Sequence, residues 1–247
     1  MKPLENKVTV ITGASSGIGA ESAKQVAAQG GTVVLVARSE EKVKAIVDDI
    51  TNAGGKAYYK IADVSDAKQM FELATYCKAE FGKVDNLVNN AGLMLFSYWK
   101  DAALDDWNKM IDTNIKGYLH TIAAFLPDMI ASKSGHILNM SSVAGIHTGE
   151  AAGVYSATKF FIRGITESLR KEVGVKDNIS VSMVSPGVID TGWADKVNNE
   201  SGAALAKELN KGAIKPITIA NAVVYVLSQP DGVAVNDIIV SPTQQDW

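Results

Sequence analysis

Short runs of β-branched and apolar residues alternate along the chain with longer segments in which apolar residues recur at helical spacing. The short runs are typical of strands and cover Val8–Thr12, Thr32–Ala37, 56–62, 85–90, 135–142, 179–186 and 235–241. The longer segments are typical of helices and cover 17–30, 39–55, 65–81, about 104–132, 154–173 and 217–228. Strands that alternate with helices of this length build βαβ units. We therefore predict an α/β fold with a seven-stranded parallel sheet and helices on both faces.

The pattern continues from end to end without a low-complexity linker, a charge run or an internal repeat. We therefore expect residues 1–247 to form one domain. The least regular part is 190–215, which is polar, rich in small residues and partly helical. It lies between a predicted strand and the last predicted helix, where a substrate lid is the natural interpretation.

Composition narrows the classes of function. The net charge is −3 and no basic block occurs, so nucleic acid is not an expected partner. Cys77 is the only cysteine and the three histidines are scattered, so we expect neither a disulfide nor a metal site. No apolar run has the length of a membrane span, and residues 1–10 lack the apolar core of a signal peptide. These features predict a cytoplasmic protein that does not bind membranes.

The turn after the first predicted strand reads "TGASSGIG" and covers residues 12–19. Gly13, Gly17 and Gly19 let the backbone turn tightly and approach a pyrophosphate at the N-terminus of the next helix. No Gly-Lys-Ser/Thr follows, so the turn is not a Walker loop. The sequence therefore predicts a Rossmann-type, doubly wound fold and a dinucleotide site whose turn also includes Ser15, Ser16 and Ile18.

The end of the second predicted strand favours NADP(H) as the cofactor. Enzymes specific for NAD tend to place an acid there for the ribose 2′-hydroxyl. This chain has Ala37 followed by Arg38, and a guanidinium can bind a 2′-phosphate and stack on adenine. Glu40 and Glu41 are the contrary observation, and we interpret them as acids favoured in the first turn of a helix.

"YSATK" contains Tyr155 and Lys159 one helical turn apart on the same face. By chance alone, roughly 0.6 such pairs are expected in a chain of this composition, so the motif needs a context. Chemically, a tyrosine can donate a proton to a developing oxyanion, but its reference pKa is about 10. A lysine ammonium about 4 Å away would favour the tyrosinate.

The order and spacing of seven motifs make the chain similar, over nearly its whole length, to the short, single-domain branch of the short-chain dehydrogenase/reductase family. The motifs are "TGASSGIG" (12–19), "ADVSD" (62–66), "NNAG" (89–92), "NIKG" (114–117), "NMSSVAG" (139–145), "YSATK" (155–159) and "SPGVIDT" (185–191). The resemblance implies hydride transfer between NADP(H) and a small-molecule carbonyl or alcohol substrate. It also implies a homo-oligomer, usually a tetramer.

The resemblance also implies roles for individual residues. The expected catalytic residues are Asn114, which anchors a water that leads to the lysine, Ser142, which orients the substrate, Tyr155 and Lys159. Ser141 is the alternative serine. Besides the glycine turn, Arg38, Tyr155 and Lys159, the expected cofactor contacts are Asp63, Val64, Asn90, Ala91, Gly92, Pro186, Gly187, Ile189 and Thr191.

The residues of the substrate pocket are less strongly indicated. Met94, Leu95, Phe96 and Trp193 have apolar bulk that suits either a pocket wall or core packing. His147 and Glu150 lie between Ser142 and Tyr155 and are either pocket residues or plain loop residues.

Three functions compete with that of a carbonyl reductase or alcohol dehydrogenase, and the ketoacyl-carrier reductase is the most serious of them. A ketoacyl-carrier reductase of the same family usually has a glycine-rich tail, whereas this chain ends in "VNDIIVSPTQQDW", like dehydrogenases of 3-hydroxy acids. A sugar-nucleotide epimerase needs a larger C-terminal domain. A non-catalytic NADPH sensor has no reason to retain all four catalytic residue types.

Overall fold

A computed structural model describes residues 2–245 and contains the predicted seven-stranded sheet. The strands are β1 (Val8–Thr12), β2 (Thr32–Ala37), β3 (Lys56–Ile61), β4 (Asn86–Asn89), β5 (Gly135–Met140), β6 (Ile179–Pro186) and β7 (Asp237–Val240). The helices are α1 (Gly17–Ala28), α2 (Glu40–Asn52), α3 (Ala67–Phe81), α4 (Leu104–Ile111), α5 (Gly117–Ser132), α6 (Gly153–Asp177), α7 (Glu200–Asn210) and α8 (Pro216–Leu227).

The strand order is β3-β2-β1-β4-β5-β6-β7, and every neighbouring pair is parallel. The order reverses between β1 and β4, so the two halves of the sheet wind in opposite directions from that point. Ligands of open α/β sheets bind at the carboxyl ends of the strands beside such a reversal. The topology therefore confirms the predicted fold and directs attention to one edge of the sheet.

The central strands of the sheet are buried on both faces, which is why they are rich in apolar residues, whereas the edge strands β3 and β7 are largely exposed. Alternate residues of one strand reach opposite sides, as Val10 and Ile11 do in β1. One core lies between the sheet and α1, α2 and α8, and it contains Val26, Val43 and Val223. The other core lies beneath α3, α5 and α6.

The predicted helical region 104–132 is two helices joined by a π-helical turn over Asp112–Lys116. A π-helical turn inserts one extra residue into the backbone ladder and re-aims the side chains within it. The predicted helical region is confirmed, but the sequence shows this position only as continuous helical periodicity and did not predict the turn within it. Asn114 lies inside this turn.

A chain of buried hydrogen bonds crosses the sheet beneath α5 and α6, and the hydrophobic pattern did not predict it. Thr121 Oγ1 donates to Asn89 Oδ1 at 2.6 Å, and Asn89 Nδ2 donates to Asn139 Oδ1 at 2.9 Å. Asn139 Nδ2 then donates to Thr166 Oγ1 at 2.9 Å. All four residues are buried. Because a buried polar group without a partner is costly, these hydrogen bonds fix the positions of α5 and α6 on the sheet.

Between residues 2 and 245, no helix combines the length and the apolar character needed to cross a membrane.

Replacing Asn139 should lower stability strongly, because Asn139→Ala leaves Asn89 Nδ2 and Thr166 without their buried partners. We expect a loss of about 2–4 kcal/mol in the free energy of unfolding by denaturant. The control, Asn52→Ala, removes an exposed asparagine at the end of α2 and should change stability by about 0.5 kcal/mol or less. Equal effects of the two substitutions would contradict a structural role for the buried chain.

Candidate active site

A cavity of about 290 Å³ opens at the carboxyl ends of the strands, beside the β1–β4 reversal. Most of the predicted cofactor and catalytic residues line it. They are Gly13, Ser15, Ser16, Gly17, Ile18, Arg38, Asp63, Val64, Asn90, Ala91, Gly92, Ser142, Tyr155, Lys159, Pro186, Gly187, Ile189 and Thr191. The sequence motifs at these strand ends therefore converge on one space.

The glycine turn forms one end of the cavity. Gly13 and Gly17 have φ angles of +66° and +56°, which side chains rarely adopt. A Cβ atom would stand 2.7 Å from Ala91 Cα at Gly13 and 2.8 Å from Thr191 Cβ at Gly17. Helix α1 begins at Gly17, and no side chain caps its first N–H groups. This backbone cradle at a helix N-terminus fits a diphosphate group.

Asn90, the residue after β4, braces the same turn with its side chain. Its Nδ2 donates to the carbonyl oxygens of Thr12 at 2.9 Å and Gly13 at 3.3 Å. Gly19 packs against this brace, because a Cβ there would come within 2.6 Å of Asn90 Nδ2. Gly19 thus supports the turn from behind and does not line the cavity, and its predicted contact with the cofactor stays a prediction.

A charged pair lies at the outer end of the cavity, next to the glycine turn. The Arg38 guanidinium is 68% exposed and lies 3.4 Å from Asp63 Oδ2. Partial burial raises the pKa of Asp63, but hydrogen bonds from Ser65 and the charge of Arg38 outweigh it and hold the pKa below its usual value. Arg38 is thus paired with Asp63 while most of its side chain stays open to an anion from solvent.

Ser142 and Tyr155 meet at the inner end of the cavity. Ser142 follows β5 in extended backbone, and its Oγ accepts a hydrogen bond from Ala144 N at 3.1 Å. Tyr155 lies in the first turn of α6. Burial raises the pKa of Tyr155 to about 12, although a hydrogen bond with the Ser142 side chain opposes this rise. The phenol is therefore protonated at neutral pH and lies against a second hydroxyl.

Lys159 is buried one turn below Tyr155. Its Nζ donates to the carbonyl oxygen of Met140 at 2.8 Å and lies 5.8 Å from the ring centroids of Tyr155 and Tyr118. Burial lowers the pKa of Lys159 to about 7. With the side chains in this arrangement, burial dominates both pKa values, and the expected lowering of the Tyr155 pKa by the ammonium is not found.

Asn114 stands behind the cavity and does not line it. Its Oδ1 accepts from Leu93 N and its Nδ2 donates to Leu93 O, both at 2.8 Å. Nδ2 also donates to Thr158 Oγ1 at 3.0 Å. The side chain thus fastens the start of the 93–103 segment to α6. The water-anchoring role implied by the family resemblance stays a prediction.

The remaining predicted pocket residues divide into two groups. Met94, Leu95 and Trp193 line the cavity, and Phe96 packs behind them with its ring centroid 5.3 Å from that of Trp193. His147 and Glu150 are exposed and lie outside the lining, so the structure does not support pocket roles for them. The loop that carries them follows the surface, and its chain turns through a positive φ of 57° at Ala151.

The cavity also contains residues that sequence reasoning missed. Val36, Ala37, Ala62 and Met140 could have been found from the rule that ligands bind at the carboxyl ends of strands. Leu93, Thr113 and Lys196 carried no comparable signal. Among residues 2–245, no group of three or more His, Cys, Asp or Glu residues is placed to hold a metal ion.

Comparisons with known proteins agree with this arrangement. A family profile described as short chain dehydrogenase matches residues 7–202. An uncharacterized oxidoreductase of Staphylococcus saprophyticus is 39% identical over 246 residues, which cover 99% of each chain.

Solved structures show the same similarity and both types of nicotinamide cofactor. A metagenomic short-chain oxidoreductase in complex with NADP has a TM-score of 0.83 and 32% identity over 98% of this chain and 100% of the other. An alcohol dehydrogenase of Thermococcus sibiricus, complexed with 5-hydroxy-NADP, has a TM-score of 0.86 and 30% identity, with 97% and 98% covered. A Burkholderia phymatum family member in complex with NAD has a TM-score of 0.87 and 28% identity, with 97% and 90% covered. The chain therefore belongs to the short-chain dehydrogenase/reductase family and is an oxidoreductase.

Proposed function

We propose that this protein is an NADP(H)-dependent oxidoreductase that interconverts a ketone or aldehyde and the corresponding alcohol. One observation carries the proposal: the paired hydroxyls of Ser142 and Tyr155 lie at the inner end of a cavity whose other end is a diphosphate cradle with an exposed arginine. A nucleotide that spans this cavity would bring its reactive end to the two hydroxyls.

The glycine turn and the N-terminus of α1 would hold the diphosphate, and Arg38 would hold the 2′-phosphate. The cofactor supplies or accepts the hydride when it is bound. The NADP complexes among similar structures support this choice, and the NAD complex shows that the family accommodates either cofactor. Arg38 lines the cavity, whereas Glu40 and Glu41 do not. Glu40 accepts a hydrogen bond from the Tyr59 hydroxyl at 3.3 Å, which draws its carboxylate toward β3.

Two hydroxyls act on the carbonyl oxygen in the proposed reduction. Ser142 donates a hydrogen bond that orients the oxygen and stabilises the charge that develops on it. Tyr155 donates the proton that completes the alcohol, and its protonated phenol at neutral pH suits that direction. In oxidation the same phenol accepts the proton from the alcohol.

Lys159 assists the proton transfer from its position one helical turn away from Tyr155. When Tyr155 gives up its proton, the nearby ammonium stabilises the phenolate that remains. A lysine with a pKa of about 7 can also lose a proton near neutrality, so it can return one to Tyr155. Lys159 would in addition hydrogen-bond the cofactor ribose, as the family resemblance implies.

Exposed apolar side chains support assembly into a homo-oligomer, which we propose to be a tetramer. Leu119 on α5 and Phe160 on α6 are each 45% exposed. They lie on neighbouring helices of the same side of the sheet, where a second copy of the chain would cover them.

Separate substitutions of the two neighbouring serines test the proposed oxygen-orienting role. We expect the wild type to oxidise NADPH with members of a panel of ketones, aldehydes and keto esters. Ser142→Ala should lower kcat/KM for the best substrate by about 10²–10³, because a donor to the developing oxyanion is lost. Ser141→Ala removes only a 3.2 Å hydrogen bond to the Lys159 carbonyl and should lower kcat/KM less than about tenfold.

The turnover of all three proteins is measured from the absorbance of the reduced nicotinamide. Equal defects in the two variants would contradict the assignment to Ser142. An inactive wild type that still binds NADPH would instead favour a sensor.

A second substitution tests the cofactor preference. Arg38→Asp should shift the ratio of kcat/KM for NADPH to that for NADH by at least about tenfold toward NADH, because the 2′-phosphate loses its cation and meets an anion. Glu41→Gln is the matched control on the adjoining helix, and it should leave the ratio within about twofold. An unchanged ratio in Arg38→Asp would mean that another residue determines the preference.

A further inference from the structure

One side-chain hydrogen bond joins the 190–215 segment to the 93–103 segment. Asn199 Nδ2 donates to Asp101 Oδ2 at 3.0 Å, in a partly buried position between residues 98 positions apart in the sequence. Both segments contribute residues to the cavity wall, since Met94 and Trp193 line it. The bond therefore connects two pieces of chain that have to agree in position if the cavity is to keep one shape.

Each partner is itself held in place. Asn199 Oδ1 accepts from Gly202 N at 2.8 Å and so caps the N-terminus of α7, which leaves Nδ2 to point at Asp101. Asp101 Oδ2 also accepts from Tyr98 N at 3.2 Å. The two side chains are thus oriented by their own backbone surroundings before they meet, which lowers the entropy lost on pairing.

The pair lies next to a tightly packed contact that leads to the reacting end of the cavity. Gly202 packs so closely on the carbonyl oxygen of Phe96 that a methyl group at Gly202 would clash with it. The Phe96 ring centroid lies 5.3 Å from that of Trp193 and 6.4 Å from that of Tyr155. Phe96 and Trp193 belong to one small apolar cluster with Ala152 and Ala206. A shift of α7 would therefore move the wall beside Tyr155.

We propose that Asn199 and Asp101 are positioning residues that fix the Trp193 wall beside Tyr155 and thereby determine which carbonyl compounds the site accepts. This inference rests on the proposed carbonyl reduction, because it assigns the wall to the substrate. With the pair intact, the wall stands close to the phenol and favours compact substrates. When the pair is broken, the wall recedes, compact substrates lose contacts, and bulkier ones lose less.

Substitutions that swap the hydrogen-bond donor and acceptor of the pair give the most decisive test. Asn199→Asp keeps an N-cap side chain for α7 but places a second carboxylate against Asp101. Asp101→Asn alone keeps an oxygen that can accept from Asn199, so it serves as the mild control. The double variant with both substitutions restores a donor and an acceptor in reversed order, at the cost of the weaker 3.2 Å bond from Tyr98 N. It therefore tests the pair and not either residue alone.

Steady-state kinetics with NADPH should separate the variants. For a compact aliphatic ketone, Asn199→Asp should raise KM about fivefold, the equivalent of one net hydrogen bond, while kcat changes less than about twofold. The KM for a ketone with an aromatic substituent should rise by a smaller factor. Asp101→Asn and the double variant should lie within about twofold of the wild type. The KM for NADPH should stay unchanged in all of them, because the glycine turn and Arg38, which would hold the cofactor, lie outside both segments.

Amide hydrogen exchange over residues 200–210 gives a readout that does not need turnover. Exchange should be faster in Asn199→Asp and return to the wild-type rate in the double variant. Asn199→Ser, which keeps the cap and lacks the amide Nδ2 that reaches Asp101, should show the same change in weaker form and replaces Asn199→Asp if that variant does not fold.

The proposal would be overturned if Asn199→Asp left both the amide exchange rates and the KM for the compact ketone unchanged. It would also be overturned if the double variant kept the defect of Asn199→Asp. If the wild type reduces no carbonyl compound, the proposed function fails, and the exchange rates still decide whether the pair holds the segment.

Discussion

The candidate site depends on one buried ammonium group. Lys159 Nζ lies inside the protein, and the carbonyl oxygen of Met140 at the end of β5 accepts its hydrogen bond. The Tyr118 hydroxyl donates to the same oxygen at 2.9 Å, so one strand end organises a lysine and a tyrosine together. Taking an ammonium out of water disfavours its charge, which is why burial brings the pKa of Lys159 to about 7. The burial thus places beside Tyr155 a lysine that can gain or lose a proton near neutral pH.

The parallel sheet brings the parts of the site within reach of this lysine. Because all seven strands run the same way, their carboxyl ends meet at one edge. The glycine turn follows β1, Arg38 follows β2, Asp63 lies just beyond β3, and Asn90 follows β4. Buried hydrogen bonds through Asn89 and Asn139 hold the helices of one face against these strands. The same strand ends thus serve the fold and the chemistry.

The sequence predicted the central strands well because they are rich in apolar residues buried on both faces. The bounds of β1 and β2 agree with the structure residue for residue. The glycine turn was predictable because its spacing reflects positive φ angles that glycine readily adopts. The spacing of Tyr155 and Lys159 predicted that they lie one turn apart on a helix, as they do on α6. The π-helical turn around Asn114 was missed because its side chains keep helical periodicity while the backbone gains one residue.

Other features depend on tertiary contacts that no local pattern encodes. Lys196 enters the cavity lining and Asn199 meets Asp101 only because the 190–215 segment packs against 93–103. His147 and Glu150 lie between two functional residues in sequence and outside the cavity in space. Proximity along the chain is therefore a poor guide in loops, whereas position at a strand end is a good one.

The central claim is that Tyr155 moves the proton, and Tyr155→Phe tests it most directly because it removes one oxygen and keeps the ring. The account predicts that NADPH still binds to the variant while kcat falls at least about a thousandfold. Tyr118→Phe is the matched control: it removes the other hydroxyl near Lys159, leaves Met140 O bonded to the ammonium, and should retain most turnover. Near wild-type turnover in Tyr155→Phe would contradict the account.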